Sequence, residues 1–452
     1  MAQVVQFERA ADKRDDTVTE LAVARQFSDE FVDRFAYCHS RGCWYFFNGS
    51  IWRRQEKPSA FHAIRSLVER MSADATRRSK IQTATFCRGV EAFVRADAVI
   101  SRTADEWDSD PFLLGTPDGT VDLRTGVLRR PDPAEGITKA TSVAPAATAD
   151  CPLWRRFVSE ATGGDTGLAL FLQRWGGYCL TGDTREHALV FIHGDGGNGK
   201  SVFQNTISAI LGEYAVIAPM DAFTTSRGDR HPTDLAMMRG ARLITASETE
   251  EGRPWAEARI KQMTGGDPIT ARFMRQDFFT FTPHFKLTII GNHQPVLHNV
   301  DAAARRRFCI VPFTIRPAVP DLQLEVKLRA EWPGILGWMI EGCRDWQANG
   351  LPRPDVVAAA TDHYFTDQDV LGHWLAEECD LEPGNSHKWE RSSDLFASWR
   401  AFASRSGEDA GSNKTFSARL ERNGFPKRRT RDGSRFEGLN LIKPALSMTG
   451  DR

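Results

Sequence analysis

Gly194-Asp195-Gly196-Gly197-Asn198-Gly199-Lys200-Ser201 is the stretch whose reading decides the fold. Its pattern, G-x-x-x-x-G-K-[ST], sets glycines where successive backbone N–H groups must turn inward onto an anion, a conformation that a Cβ would oppose. An apolar run from Ala188 to His193 leads in, and amphipathic spacing from Lys200 to Leu211 leads out. A strand, a glycine loop and a helix in that order bring the positive end of the helix to the same anion. The expected ligand is a nucleoside triphosphate, ATP, with Mg2+. Lys200 is expected to reach its outer phosphates and the Ser201 hydroxyl to bind the Mg2+, with the binding segment running from Gly194 to Val202.

Binding becomes hydrolysis when an acid stands beside metal and water, usually at the end of a neighbouring strand. Working outward, the apolar run Ala241 to Ala246 ends at Glu248, with Glu250 and Glu251 just after it. Glu248 is the expected acid, aligning Mg2+ and polarising the attacking water, although three acids in four residues leave the choice open. A third apolar run, Lys286 to Ile290, ends at Asn292, whose amide could meet the γ-phosphate or hold the water; it could equally be a turn residue. Arg305, Arg306 and Arg307 precede the apolar strand from Phe308 to Phe313. A planar, permanently charged guanidinium suits a transition-state phosphate, so one of the three aimed at a neighbouring subunit would act in trans. A solvated or DNA-facing basic turn is the simpler alternative. Apolar strands alternating with helices predict an α/β fold with a parallel sheet covered on both faces.

The 452 residues exceed one ordinary domain, and their 41% hydrophobic content suffices for sizeable cores. No apolar run approaches the roughly 20 residues of a membrane span, and the first residues lack the basic start and apolar core of a secretion signal, so a cytoplasmic protein without membrane contact is expected. The eight cysteines form no C-x-x-C pair, which predicts buried thiols in a reducing compartment rather than a zinc ribbon. The net charge of −1 decides nothing about nucleic acid, but the basic clusters at 305–307 and 427–435 can bind phosphate whatever the global sum.

Along the chain, residues 1–25 are polar and charged and read as a flexible tail. Residues 26–150 read as a small α/β unit, with helical spacing from Gln26 to Phe35, a hairpin around Asn48-Gly49, further turns at Asp118-Gly119 and Thr125-Gly126, and a Pro- and Ala-rich linker ending at Asp150. Residues 151–350 carry the nucleotide motif. Residues 365–445 read as three helices followed by a hairpin around Asp432-Gly433, the order of a winged helix. There, Lys414 and Arg419 would lie on the recognition helix and Lys427, Arg428, Arg429, Arg431 and Arg435 on the wing, facing DNA phosphates or simply protecting an exposed edge.

The order and spacing of these pieces resemble a superfamily 3 helicase, and more closely the phage and plasmid primase–helicase family related to the poxvirus helicase-primase. The residues that carry the resemblance are C-P-L-W-R-R-F from Cys151, L-F-L-Q-R-W-G-G-Y-C-L-T-G-D-T from Leu170, the glycine loop, S-E-T-E-E-G-R-P-W-A-E-A-R-I-K-Q-M-T-G-G-D from Ser247, I-I-G-N-H-Q-P from Ile289 and R-R-R-F-C-I-V-P-F from Arg305. Upstream, D-G-T-V-D-L-R-T-G-V-L from Asp118 is similar to the domain that precedes the motor in that family. The resemblance implies an AAA+-like P-loop NTPase core between a helicase-associated domain and the winged helix. It implies a hexameric ring translocating 3′ to 5′ on single-stranded and forked DNA during phage, prophage or plasmid replication in a bacterial host cell. By position it makes Lys200 and Ser201 the Walker A pair, Glu248 the Walker B acid, Asn292 the first sensor, and Arg307, with Arg306 as second choice, the arginine finger.

Between Glu248 and Asn292 the residues read as a helix bearing Lys261, a turn at Thr264–Asp267, and a hairpin of Ile269–Phe273 and Phe278–Phe281. In the family such a hairpin grips single-stranded DNA in the ring channel, which makes Lys261, Arg272 and Arg275 candidate backbone contacts. One departure stands out: the chain is too short for the primase catalytic domain of many relatives, so a separate primase or polymerase is the expected partner. Asp108 and Asp110 mimic a polymerase metal pair but lack flanking acids, and read as part of the helicase-associated domain. The competing function is an ATP-switched origin-binding or regulatory DNA-binding protein that never separates strands; a packaging motor lacks the nuclease cluster it would need.

Overall fold

The computed structural model describes residues 18–75, 78–225, 233–247, 254–274, 277–297, 301–407, 409–431 and 433–442. The first unit contains α1 (Glu20–Phe31), β1 (Phe35–Cys38), β2 (Cys43–Phe47), β3 (Trp52–Arg54), α2 (Ser59–Met71), α3 (Arg78–Ile81), α4 (Ala84–Ala96) and β4 (Ser101–Arg102). Its sheet has the order β3-β2-β1-β4, and α1, α2 and α4 bury Val23, Phe27, Ile64, Leu67, Val90 and Val94 against one another. Two expectations are corrected here. The tail expected to reach residue 25 is helical from Glu20, because Thr19 caps Ala22 N and Val23, Ala24, Phe27 and Ser28 form one buried stripe. The helical spacing read on to Phe35 stops at Phe31, because Phe35 pairs with Phe46 across the β1–β2 ladder.

A three-stranded meander follows: β5 (Leu113–Thr116), β6 (Gly119–Asp122) and β7 (Val127–Arg129). Its Leu114, Val121 and Leu123 belong to the core of the central domain, so no break in packing occurs at residue 150. The Pro- and Ala-rich stretch read as a linker is also held. Ile137 and Ala140 are buried with Ile51, Thr141 N donates to Gly115 O, and Ser142 N donates to Ile210 O. Proline-rich composition only removes local secondary structure; neighbouring backbone still satisfies the remaining groups.

The central domain comprises α5 (Pro152–Ala161), α6 (Thr166–Cys179), β8 (Leu189–His193), α7 (Lys200–Leu211), β9 (Ala215–Ile217), α8 (Thr233–Ala236), β10 (Leu243–Ser247), α9 (Glu257–Gly265), β11 (Ile269–Ala271), β12 (Phe279–Phe281), β13 (Lys286–Gly291), α10 (Ala302–Arg307), β14 (Phe308–Pro312), α11 (Leu324–Leu328), α12 (Trp332–Asn349) and α13 (Asp355–Asp367). Five strands form a parallel sheet in the order β14-β8-β13-β10-β9. Alternation along β8 explains the two layers: Val190 and Ile192 enter the core under α5, α6, α7 and α12, whereas Leu189 and Phe191 enter the opposite core with Trp255, Ile260 and Phe365.

Two cations lie buried at the strand starts. Arg242 donates to Leu180 O at 2.5 Å and Leu113 O at 2.6 Å and stacks on Tyr214, which joins the meander to the sheet. Lys286 donates to Thr181 O and to Asp183 O at 3.2 Å over the Tyr178 ring. Burial pushes its ammonium down from 10.5 to about 7. Between those values the unfolded chain holds a proton that the folded chain has lost. Stability attributable to Lys286 therefore rises with pH across roughly 7 to 10.5, by about 1.4 kcal/mol per unit, while below pH 7 the full penalty persists. In urea unfolding at pH 7.5 and 9.5, the wild type is expected to gain stability relative to Lys286→Met; parallel responses would refute the assignment.

The last unit contains α14 (Val370–Glu378), β15 (Cys379–Leu381), β16 (Trp389–Arg391), α15 (Ser392–Arg405), α16 (Asn413–Arg422), β17 (Lys427–Thr430), β18 (Gly433–Glu437) and β19 (Leu439–Leu441). Trp374, Leu395, Trp399, Phe416, Leu420 and Phe436 form its core. The reading of a single hairpin around Asp432-Gly433 is incomplete: β18 pairs with β17 on one side and β16 on the other, and β19 turns away to pair with β15. Among the described residues no helix is long and apolar enough to cross a membrane.

Candidate nucleotide and nucleic-acid sites

The loop from Gly194 to Gly199 leaves the carboxyl end of β8, between β14 and β13, where ligands of open α/β sheets bind. Gly194, Gly197 and Gly199 have positive φ, at 147°, 82° and 89°. A Cβ on Gly194 would collide with the Phe313 carbonyl, and one on Gly199 would lie 2.8 Å from Phe157 Cε2. Asn198 is buried and donates its amide to the same Phe313 carbonyl, so the residue following β14 fixes the loop. Lys200 opens α7, with its Nζ 2.5 Å from Gly194 O, 3.0 Å from Asp195 O and 3.1 Å from Asn198 Oδ1. Burial lowers its pKa, partly opposed by the Asp195 carboxylate and assisted by Arg316. Arg316 Nη2 lies 3.3 Å from Asp195 Oδ2. Gly196 and Ser201 are exposed at the loop surface, while Val202 packs against the core behind it.

Other expected members can be located from strand register. β13 runs beside β8 with Gly291 opposite His193, so exposed Asn292 comes just after the strand end that lies beside the start of the glycine loop. Ser247 ends β10 opposite Ile290; Glu248, Glu250 and Glu251 lie outside the described residues. Arg305, Arg306 and Arg307 form the last turn of α10, at the start of β14, where Phe308 pairs with Leu189. Five residues of strand, roughly 17 Å, separate them from the loop of their own chain. Arg305 is committed to Asp362 at 2.7 Å and lies over Phe365. Arg306 is exposed. Arg307 is half-buried with Nη1 on Ala303 O at 2.9 Å, its Nε has no hydrogen-bond partner among the described residues, and burial lowers its pKa, as does Arg306.

The hairpin between Ile269 and Phe281 forms, although with three paired residues per strand rather than the longer arms expected. Lys261 does not stand free: its Nζ lies 2.5 Å from Asp301 Oδ2, which holds the start of α10. Arg272 stacks on Phe278, and Arg275 lies outside the described residues. In the last unit Lys414, Arg429 and Arg431 are exposed. Lys427 and Arg428 are exposed as well, but they and the half-buried Arg419 and Arg435 have partners within the unit. Arg419 lies over Trp399, Lys427 donates to Ser417 Oγ at 3.1 Å, and Arg428 and Arg435 both meet the Glu437 carboxylate. A β-ladder brings Arg428, Arg435 and Glu437 together, which their spacing alone does not reveal. Asp108 accepts from Thr138 N at 2.8 Å, and Asp110 accepts from Phe112 N at 2.9 Å and pairs with Arg124 at 2.8 Å.

Sequence reasoning missed Phe313, Arg316 and the aromatic side chains of the hairpin. For Phe313 and Arg316 the signal was the parallel pairing of β14 with β8, which brings whatever follows Pro312 to the glycine loop.

Residues 24–163 match the "D5 N terminal like" family, and residues 192–307 match a family of unknown function, DUF5906. A protein named as a putative helicase in Acanthamoeba polyphaga mimivirus is 24% identical over 309 residues, 62% of this chain and 32% of its own length. One so named in Frog virus 3 (isolate Goorha) is 24% identical over 258 residues, 52% of this chain and 26% of its own. Another, in Invertebrate iridescent virus 6, is 31% identical over 157 residues, 33% of this chain and 16% of its own. The chain thus spans about a third or less of the length of these curated relatives. Two apo structures of the NrS-1 C-terminal region share the fold at TM-scores of 0.51 and 0.50, with 10% and 9% identity, covering 95% and 93% of this chain and 100% and 99% of theirs. The first third of the chain is thus similar to the D5 N-terminal-like family, and larger stretches of it are similar to viral proteins named as helicases.

Proposed function

We propose that the chain is an ATP- and Mg2+-dependent DNA helicase motor, working as a homo-oligomeric ring, by expectation a hexamer, in replication of phage, prophage or plasmid DNA alongside a separate primase or polymerase. The observation that carries this reading is the glycine loop at the carboxyl end of β8, with Lys200 at the head of α7. The loop N–H groups and Lys200 would hold the phosphates and Ser201 the Mg2+, which supplies charge neutralisation at the transferring phosphoryl group. Asn292, just past the end of the adjacent strand, would orient water or the γ-phosphate, with Glu248 as the acid. The arginines at the far end of β14 are remote from their own loop, which suits action on a neighbour's nucleotide.

The exposed Lys414, Arg429 and Arg431 of the three-helix unit favour a second reading as well, an ATP-switched DNA-binding protein. A strand-displacement assay on forked DNA separates the two. The helicase reading expects ATP-dependent release of the displaced strand and ATPase activity stimulated by single-stranded DNA; tight DNA binding with slow hydrolysis and no displacement would leave the switch standing instead.

A further inference from the structure

α10 is six residues long, too short to hold its own direction in water, so the contacts at its ends decide where Arg306 and Arg307 point. At its start Asp301 Oδ1 accepts from Ala304 N at 2.7 Å, and Lys261 pairs with the other Asp301 oxygen. At its end Phe308 N donates to Ala304 O, and Arg307 Nη1 donates to Ala303 O. The next two carbonyls, of Arg305 and Arg306, accept from a single side chain: Arg353 Nη1 donates to Arg305 O at 3.2 Å and Nη2 to Arg306 O. The same guanidinium hydrogen-bonds the Cys309 sulfur in β14. Arg353 stands in Pro352-Arg353-Pro354, directly before α13. The two prolines fix their own φ, and Pro354 disfavours helical backbone at Arg353, so the fork is presented at little entropic cost. α13 is itself tied to β14, because the Thr361 hydroxyl accepts from Ile310 N at 3.1 Å. A fourth guanidinium at the turn of Arg305, Arg306 and Arg307 brings a repulsion that a glycine cap would avoid. What it adds is a two-pronged grip that fixes the orientation of the turn.

We infer that Arg353 is a positioning residue: it sets the direction in which Arg306 and Arg307 leave the turn, and so aligns the arginine that acts on a neighbouring copy's nucleotide. This rests on the trans arginine proposed above and assigns the residue that aims it. A misplacement of about 1 Å costs roughly 10²-fold in rate, and it falls on kcat when the displaced group acts only in the transition state.

The test uses the full chain, ATP hydrolysis stimulated by single-stranded DNA, and mixtures of two variants. Arg353→Ala is expected to lower kcat by roughly 10²-fold with KM for ATP unchanged. Arg353→Lys, which keeps one donor group, should recover part of the loss. Mixing Arg353→Ala with Lys200→Ala should restore turnover, because one copy supplies a sound glycine loop and the other a sound arginine. The controls pair Arg307→Ala, and separately Arg306→Ala, with Lys200→Ala. Recovery in a control but not with Arg353→Ala would make Arg353 a prop of its own subunit and overturn the inference, sparing the trans arginine. Recovery in neither control would overturn the trans arginine and the inference with it. Wild-type kcat in Arg353→Ala would also reject the inference. If circular dichroism shows Arg353→Ala unfolded, Arg353→Lys takes its place in the same mixtures and is judged by the same outcomes.

Discussion

Replacing Lys200 with alanine is expected to lower ATP turnover by at least about 10²-fold, the cost of removing one preorganised donor from developing phosphate charge. Lys200 Nζ is the converging group of the loop, within 3.1 Å of three loop acceptors, and it sits where the N-terminus of α7 adds its dipole. Its burial lowers its pKa, so its charge is poorly solvated and a phosphate oxygen would be a stronger partner than the carbonyls it now meets. Stability should change little, because Gly194 and Asp195 are accessible enough for water to take over their carbonyls. Steady-state hydrolysis with a thermal-unfolding control measures both quantities. Turnover within a few-fold of wild type, or unwinding left intact, would rule out the motor assignment.

The second large effect is expected from the arginines of α10. A finger acting in trans contributes roughly 10³ to 10⁵ in rate. In Arg307→Ala a loss of that order is expected, together with disproportionate inhibition when the variant is mixed with wild type, because each mixed ring then contains incomplete sites. Geometry distinguishes the three residues. Arg305 is spent on Asp362 and Phe365, so Arg305→Ala should act on stability, not on the mixing curve. Among the described residues Arg307 Nε meets no hydrogen-bond partner, and burial lowers its pKa, so an incoming anion would satisfy it. Exposed Arg306 is the alternative, and poisoning by Arg306→Ala alone would transfer the role to it. A strictly linear mixing curve for both variants would exclude a trans arginine.

The candidate site was legible wherever its chemistry is local. The glycines at 194, 197 and 199 adopt the positive φ their residue type allows, and α7 begins and ends where the spacing from Lys200 to Leu211 puts it. The strands from Leu189, Leu243 and Lys286 follow the apolar runs closely, since a strand covered on both faces needs an unbroken run of them. Legibility failed where partners come from elsewhere in the chain. Lys261 looked like a cation for DNA until α10 brought Asp301 to it. Arg428 and Arg435 looked like wing cations until the β17–β18 ladder brought Glu437 between them. The stretch before Asp150 looked like a linker because composition reports propensity and not the neighbours that satisfy its backbone.

By itself the sequence determined the glycine loop, the alternation of strand and helix, and the identity of the groups available to phosphate, because these follow from backbone freedom and short-range periodicity. Only the tertiary structure decided that Phe313 braces the loop, that Arg305 is already paired, that the α10 arginines stand a strand's length from their own site, and that the hairpin holds exposed rings beneath guanidinium groups. Those facts depend on which strands are neighbours and in what register, and residues more than a hundred positions apart meet through the sheet, a relation that no local pattern encodes.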